Sequence, residues 1–263
     1  MSSTDEQLLE LAVDLAHAAG RLLLDGQARV RTLVETKSTR TDMVTEMDRA
    51  SEALIVNGIR KARPHDALLG EEGTAAPGVS GVQWVVDPLD GTTNYLYGFP
   101  SWAVSIGAEV DGVPAVGVVH DPVHAETFTA VRGGGAFLNG ARLGPVDGAP
   151  DLATALVGTG FSYDAARRRR QAEELALVLP AVRDVRRAGS AASDMCWVAA
   201  GRLDAYYERG TQPWDTAAGT VVCTEAGALV DRLDDGTIVV APPQLFDGLC
   251  ALLAAATGPG RAG

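Results

Sequence analysis

The segment Trp84-Val85-Val86-Asp87-Pro88-Leu89-Asp90-Gly91-Thr92-Thr93-Asn94 delivers two carboxylates, a glycine and two hydroxyls at the end of an apolar run. Val82 to Val86 is expected to form a buried strand running into an Asp-Pro turn. Strand ends of this kind are where α/β proteins place their sites. Asp, Pro, Gly and Asn are also turn formers, so a plain turn is the competing reading. Two acids three residues apart on a tight turn can face one cavity. Like charges about 4 Å apart cost on the order of 4 kcal/mol at an intermediate dielectric, so a cation is expected between them.

Working outward, Ser3 and Glu6 form a capping-box pattern, and Leu8, Leu11, Ala12, Leu15, Ala19 and Leu22 recur at helical spacing until Gly26. A second helix is expected from near Thr45 to just before Pro64, with Ala50, Ala53, Leu54 and Ile59 inward. Trp102 to Val110 and Val113 to Val119 read as paired strands around Asp111-Gly112, and Thr127 to Val131 extends the sheet. Further on, strands are expected at 155–158, 203–207, 228–231 and 238–241. Helices are expected from Ala165, over 191–200, from about Asp215 to Ala226, and around 244–255. This irregular alternation predicts a layered α/β or α+β protein. Gly144 to Pro150 is the candidate seam between two packed halves, roughly 1–145 and 146–263, of one domain spanning 1–263.

The composition excludes several classes. With 46% hydrophobic residues the 263-residue chain can fill a sizeable core, which disposes of a disordered reading. A net charge of -12 makes the average surface repel nucleic acid and anionic lipid, so neither is an expected partner. Arg167 to Arg170 reads as a solvated helix face. Cys196, Cys223 and Cys250 are odd in number and lack CxxC spacing, which predicts neither a disulfide framework nor a zinc site. No signal peptide or membrane span is legible, so a cytoplasmic location is expected. His120 and His124 flank Pro122 in a strand-to-turn segment and are not expected to bind metal, and His17 has no visible partner. Gly133-Gly134-Gly135 lacks dinucleotide-fingerprint spacing and reads as a flexible turn between strands.

Two further acidic segments carry alternatives. Glu71 and Glu72 in Gly70-Glu71-Glu72-Gly73 could be an exposed loop, and Asp215 in Pro213-Trp214-Asp215-Thr216-Ala217-Ala218-Gly219 could cap the following helix. Taken together, Asp87-Pro88-Leu89-Asp90-Gly91-Thr92-Thr93-Asn94 and Trp214-Asp215-Thr216-Ala217-Ala218-Gly219 resemble the two signatures of the inositol monophosphatase family. Lys37-Ser38, Val44-Thr45 with Asp48 and Glu52, Gly70-Glu71-Glu72, Arg132 to Gly140, and Gly189 to Glu208 also resemble family segments, so the likeness runs along essentially the whole chain.

The resemblance implies an α/β/α/β/α sandwich of the sugar phosphatase type, commonly a homodimer. It implies Glu71, Asp87, Asp90, Asp215 and the Leu89 carbonyl as ligands for two or three Mg²⁺ ions, with Mn²⁺ as a substitute. Hard cations prefer such oxygen donors. It assigns activation of the attacking water to Thr92 with Asp48 behind it, and counts Glu71 among the catalytic groups. Asp48 also fits a Thr45-to-Asp48 helix cap, and both roles stay open. Gly91 and Thr92 amides are expected on the phosphate. Asp90, Gly189, Ser190, Ala191, Glu208 and Asp215 are expected to contact the rest of the substrate. A salt bridge of Glu208 with Arg209 is its bland alternative.

The implied reaction is hydrolysis of myo-inositol 1-phosphate or a similar polyol or sugar phosphate, with lithium sensitivity. Histidinol phosphate, fructose bisphosphate and 3′-phosphoadenosine nucleotides are the rival substrates, and a non-catalytic regulatory protein on the same fold is the rival class. An aspartyl-phosphate enzyme of the haloacid dehalogenase type is disfavoured, because two residues, Pro88 and Leu89, separate the acids where that motif has one.

Overall fold

The structure is a computed structural model and describes residues 3–32 and 40–257, with side chains described for 4–27 and 46–256. Lys37, Ser38 and the side chains of Ser3, Val44 and Thr45 lie outside these residues.

Helices α1 (Ser3–Thr32) and α2 (Arg40–Ala62) precede strands β1 (Ala67–Gly70), β2 (Ala75–Ala76) and β3 (Val82–Asp90), then the short α3 (Thr92–Tyr97). Strands β4 (Ala103–Val110), β5 (Val113–Asp121), β6 (Glu126–Val131), β7 (Gly135–Leu138) and β8 (Ala141–Arg142) follow. They complete a sheet of order β2-β1-β3-β4-β5-β6-β7-β8, in which β1 and β3 are parallel. Beyond 144–150 come β9 (Leu156–Thr159), α4 (Ala165–Val178), β10 (Asp184–Arg186), α5 (Ala191–Ala199), β11 (Ala205–Arg209) and α6 (Pro213–Glu225). The chain continues through β12 (Leu229–Arg232) and β13 (Thr237–Ala241) to α7 (Pro243–Thr257). Its five strands form a second sheet, β10-β9-β11-β13-β12.

Apolar packing stacks these elements into five layers. Helices α1 and α2 bury Leu8, Ala12, Leu23, Ile55 and Ile59 against one face of the first sheet, where they meet Trp84, Val104, Ile106 and Val118. The alternate residues Ala103 and Val119 point the other way, onto Met195 and Cys196 of α5 and Val221 and Val222 of α6. Tyr206 and Val240 of the second sheet close that middle layer. Helix α7 covers the far face through Leu245, Leu249 and Leu253, and α4 adds Val178. A strand buried on both faces reads as a continuous apolar run, which is why β4 and β5 look alike in sequence. Asp111 (φ 53°) and Gly112 (φ 74°) form the two-residue connection between them. No described helix is long and apolar enough to cross a membrane.

Three sequence expectations need correction. The first helix does not stop at Gly26 but runs to Thr32. A Cβ at Gly26 would lie 2.9 Å from the Tyr95 hydroxyl and collide with Met47, so this glycine permits close packing and caps nothing. Second, α2 starts at Arg40 and not near Thr45, which puts Asp48 well inside the helix and removes its capping role. Its inward stripe is Asp48, Ser51, Glu52, Ile55, Val56 and Ile59, while Ala53 faces solvent. Third, His17 has partners: its Nε2 lies 2.9 Å from Thr127 Oγ1, and its ring meets that of His120 edge-on at 4.6 Å. Nδ1 of His120 also reaches Thr127 Oγ1 (3.0 Å), and His124 pairs with Asp121.

Candidate active site

The deciding segment is where β3 loses its regular pairing. Asp87 is opposite Ser105 and Asp90 opposite Ala103, so the register with β4 shifts between the two acids. Such an irregularity bends a strand and re-aims its side chains. The kink is pinned from both sides: Ser51 Oγ donates to the Pro88 carbonyl (2.9 Å), and the Leu89 amide donates to Asp87 Oδ1 (3.0 Å). Gly91 then adopts φ 96°, which an L side chain resists. A Cβ there would also sit 3.0 Å from the Ser101 carbonyl and 3.2 Å from that of Gly189.

The buried polar residues on α2 hold the second acidic segment. Glu52 accepts from the Glu72 amide (2.9 Å) and from the Thr74 amide (3.3 Å) and hydroxyl (2.5 Å). With the Glu71 amide on the Val86 carbonyl (3.2 Å), this sets Glu71 beside the end of β3. The third segment opens α6, where Asp215 Oδ2 accepts from the Gln212 amide (2.6 Å). The capping alternative for Asp215 is therefore real, and it uses only one of the two carboxylate oxygens.

These segments meet in a cavity of about 310 Å³ lined by Glu71, Asp87, Leu89, Asp90, Gly91, Thr92, Gly189, Ala191, Glu208 and Asp215, among others. Ser190 is buried just beneath: its hydroxyl donates to Asp90 Oδ2 (2.7 Å) and accepts from the Ser193 amide (3.2 Å) as the N-cap of α5. The Ala192 amide also donates to Asp90 Oδ2 (2.7 Å). Asp48 is buried behind the wall, with Oδ1 unpartnered among the described residues. Thr92 Oγ1 donates to the Leu89 carbonyl (3.1 Å). Glu208 Oε2 accepts from the Tyr206 hydroxyl (2.5 Å), so the Glu208–Arg209 salt bridge is not formed; Arg209 pairs instead with Glu174 and Asp235.

Electrostatics explain what such a cavity needs. Burial, then the charges of Glu71, Glu72 and Glu52, push Asp48 up to about 8, with the Thr92 hydroxyl opposing. Asp90 rises to about 8 through burial and the Asp215 charge, against its bonds from Ser190 and Ala192. Asp87 rises well above the carboxylate range through burial and then Glu71, with which it shares a hydrogen bond. Glu71, Glu208 and Asp215 are raised as well, each chiefly by burial. Among the described residues no three of these side chains are already gathered as a ready ligand set for one ion. A cation among them would offset the repulsion and burial that raise these groups. The donor set consists of hard oxygen groups, with no Cys or His lining the cavity. That chemistry fits a hard divalent cation.

Sequence reasoning missed four lining residues: Thr93, Phe161, Tyr163 and Arg187. Thr93 Oγ1 donates to the Tyr163 hydroxyl (3.1 Å). Arg187 is the one basic side chain lining this cavity among the described residues. Thr93 lies within the Asp87–Asn94 signature without a role having been assigned to it, whereas Phe161, Tyr163 and Arg187 belong to no motif-like cluster.

The inositol monophosphatase family profile matches residues 4–257. The inositol-1-monophosphatase SuhB of Mycobacterium tuberculosis is 47% identical over 244 residues, covering 87% of this chain and 82% of that protein. A Pasteurella multocida relative named Nus factor SuhB is 42% identical, covering 90% of this chain and 92% of its own. Among solved structures, Mycobacterium tuberculosis SuhB superimposes with a TM-score of 0.85 at 43% identity, covering 96% of this chain and 98% of that one. The inositol monophosphatase from Anabaena gives 0.82 at 35% identity, covering 95% and 96%. With signatures, layered fold and acidic cavity in agreement, the chain belongs to the inositol monophosphatase family of phosphatases.

Proposed function

We propose that the protein hydrolyses myo-inositol 1-phosphate or a closely similar polyol phosphate in a Mg²⁺-dependent reaction. The observation that carries this reading is the lining of one cavity by Glu71, Asp87, Asp90 and Asp215, with Thr92 at its wall and Asp48 behind. Glu71, Asp87, Asp90, Asp215 and the Leu89 carbonyl would hold two or three Mg²⁺ ions, or Mn²⁺ in their place. When bound, the metal supplies charge neutralisation and a water made acidic enough to attack at neutral pH.

The chain's own groups do the rest. The Thr92 hydroxyl would accept the proton of the attacking water while turning its own from the Leu89 carbonyl to an ionised Asp48, with Glu71 assisting. Gly91 and Thr92 present backbone amides to the phosphate at the start of α3. Across the cavity, the Gly189-Ser190-Ala191 turn, Asp90 and Asp215 position the alcohol portion. The Tyr206 hydroxyl takes one oxygen of Glu208, leaving the other to accept from a ring hydroxyl. Histidinol phosphate, fructose bisphosphate and 3′-phosphoadenosine nucleotides remain the alternatives within the family.

We read residues 1–263 as one domain of two packed halves, acting in the cytoplasm as a homodimer on a small phosphate ester, without nucleic acid or membrane as partner. A panel of these substrates, with and without Mg²⁺ and with added lithium, tests the proposal. Release of phosphate from inositol 1-phosphate only with Mg²⁺, and inhibited by lithium, is expected. Full turnover in thorough chelation would refute it. Because some relatives carry the name Nus factor SuhB, RNA binding should be measured on the same preparation; tight, salt-resistant binding would overturn the expectation of no nucleic-acid partner.

A further inference from the structure

Beside the catalytic cavity is a second one of about 410 Å³, lined by Arg167, Arg170, Arg209 and Arg232 and by one carboxylate, Asp235. That size suits a small-molecule ligand. The four arginines come from three distant parts of a chain whose acids outnumber its bases 34 to 22. Chance placement on such a surface favours acidic neighbours, yet only Arg209 is neutralised here, by Glu174 (3.0 Å) and Asp235 (2.5 Å). Among the described residues Arg167, Arg170 and Arg232 form no salt bridge, although the charge of Arg232 reaches the Asp215 carboxylate.

The cavity is also built from buried groups. Gln171, 7% exposed, accepts from the Ser162 amide (2.8 Å) and donates to the Arg209 carbonyl (3.2 Å), tying α4 to β11. Arg209 Nε is fixed on Thr237 Oγ1 (3.1 Å). Arg232 spends its terminal nitrogens on the Thr211 hydroxyl (3.1 Å), the Gly236 carbonyl (2.8 Å) and Thr216 Oγ1 (3.4 Å), so it fixes the wall and contributes charge. The sequence reading of Arg167 to Arg170 as a solvated face holds for Arg168 and Arg169, which do not line the cavity.

We propose that this cavity is a binding site for a phosphate-bearing small molecule, separate from the catalytic cavity. The guanidinium forks of Arg167 and Arg170 match the oxygens of a phosphate dianion, and a charge of that size balances the excess of arginine over Asp235 and Glu174. The site also adjoins the catalytic one. Arg232 holds Thr211, which precedes Gln212, the residue whose amide fixes Asp215, and its other nitrogen is 3.4 Å from Thr216 Oγ1. An occupant is therefore placed to alter how firmly Asp215 is presented. Free phosphate and the phosphate group of a metabolite share this chemistry.

The proposal does not depend on which ester the enzyme cleaves, and its test avoids the catalytic site. Full-length protein is stripped of divalent ions, which leaves the acidic cavity hostile to anions. It is then titrated by calorimetry with inorganic phosphate and, separately, with glycerol 2-phosphate, at constant ionic strength. Saturable one-site binding is expected, weakened tenfold or more in R167Q/R170Q, whose exposed side chains can be lost without unfolding, and retained in Asp90→Asn. Tighter binding of one titrant identifies free phosphate or a phosphate monoester as the preferred form. No saturation, an equal effect of chloride, unchanged affinity in R167Q/R170Q, or loss in Asp90→Asn would each overturn the proposal.

Discussion

Replacing Ser190 by alanine is expected to weaken both the fold and the proposed metal site by a calculable amount. Ser190 is 1% exposed and its hydroxyl does two things: it caps α5 through the Ser193 amide and donates to Asp90 Oδ2 at 2.7 Å. Loss of an N-cap costs about 1 kcal/mol. A hydrogen bond to a charged group contributes about 1.5–3 kcal/mol, and the lower end applies because the Ala192 amide still reaches Asp90. The sum is about 2.5 kcal/mol, or roughly 5–10 °C in Tm for a chain of this size. With Asp90 a ligand as proposed, losing the residue that orients it also costs about 10-fold or more in metal affinity, so the half-saturating Mg²⁺ concentration should rise. Ser190→Thr, which keeps the hydroxyl, should retain most of both. Urea unfolding in saturating Mg²⁺, with unchanged m-value, measures the first quantity, and phosphate release against Mg²⁺ concentration measures the second. A Ser190→Ala loss below about 1 kcal/mol with an unaltered Mg²⁺ requirement would show that the hydroxyl neither caps nor positions as described.

Removing divalent ions should make stability pH-dependent. Asp48 and Asp90, raised from 3.8 to about 8, keep their protons in the folded state, so their contribution is complete at acid pH and fades as pH climbs from about 4 to 8. The Tm gained on adding Mg²⁺ should therefore grow between pH 5.5 and 8.5, and a gain that stays flat would count against it. His120 behaves oppositely: burial and the neighbouring His17 lower it from 6.5 to about 4. Its contribution is whole above pH 6.5 and lost as pH falls toward 4, on the order of 1–2 kcal/mol after solvent screening. The difference between wild type and His120→Gln in urea midpoints across that window reads it directly. Gly91→Ala should cost about 1–2 kcal/mol from its φ of 96° and lower kcat more than KM, since crowding at the Ser101 carbonyl shifts the phosphate-facing amides. Kinetics that match wild type would place those amides elsewhere.

What could be read in advance depended on whether a residue's job is local. Asp87 and Asp90 declared themselves because an apolar strand ending in turn formers has few other uses. The hairpin at Asp111-Gly112 was legible for the same reason. Asp48 was ambiguous because a Thr-x-x-Asp pattern describes a cap as well as a buried acid, and only the start of α2 at Arg40 separates the two. Gly26 misled because glycine's permissiveness at helix ends is legible, whereas its lack of a side chain opposite Tyr95 is a tertiary fact. Arg187 and Tyr163 reach the cavity through turns that no periodicity marks. The arginine run hid its asymmetry, since which members face a cavity depends on Arg209 and Arg232, far along the chain.

Asn94 Nδ2 donates to the Ser101 carbonyl at 2.6 Å and to the Ala188 carbonyl at 2.7 Å, so one amide group bridges the end of α3 to the turn that carries Ser190. Asp90 makes the same crossing through Ser190 and Ala192. Neither the segment before Gly144 nor the one after Pro150 carries all the residues of the proposed reaction centre. Turnover is then a property of their union, and a chain severed in that run would regain it only as its fragments reassociate, which makes the enzyme its own reporter of assembly.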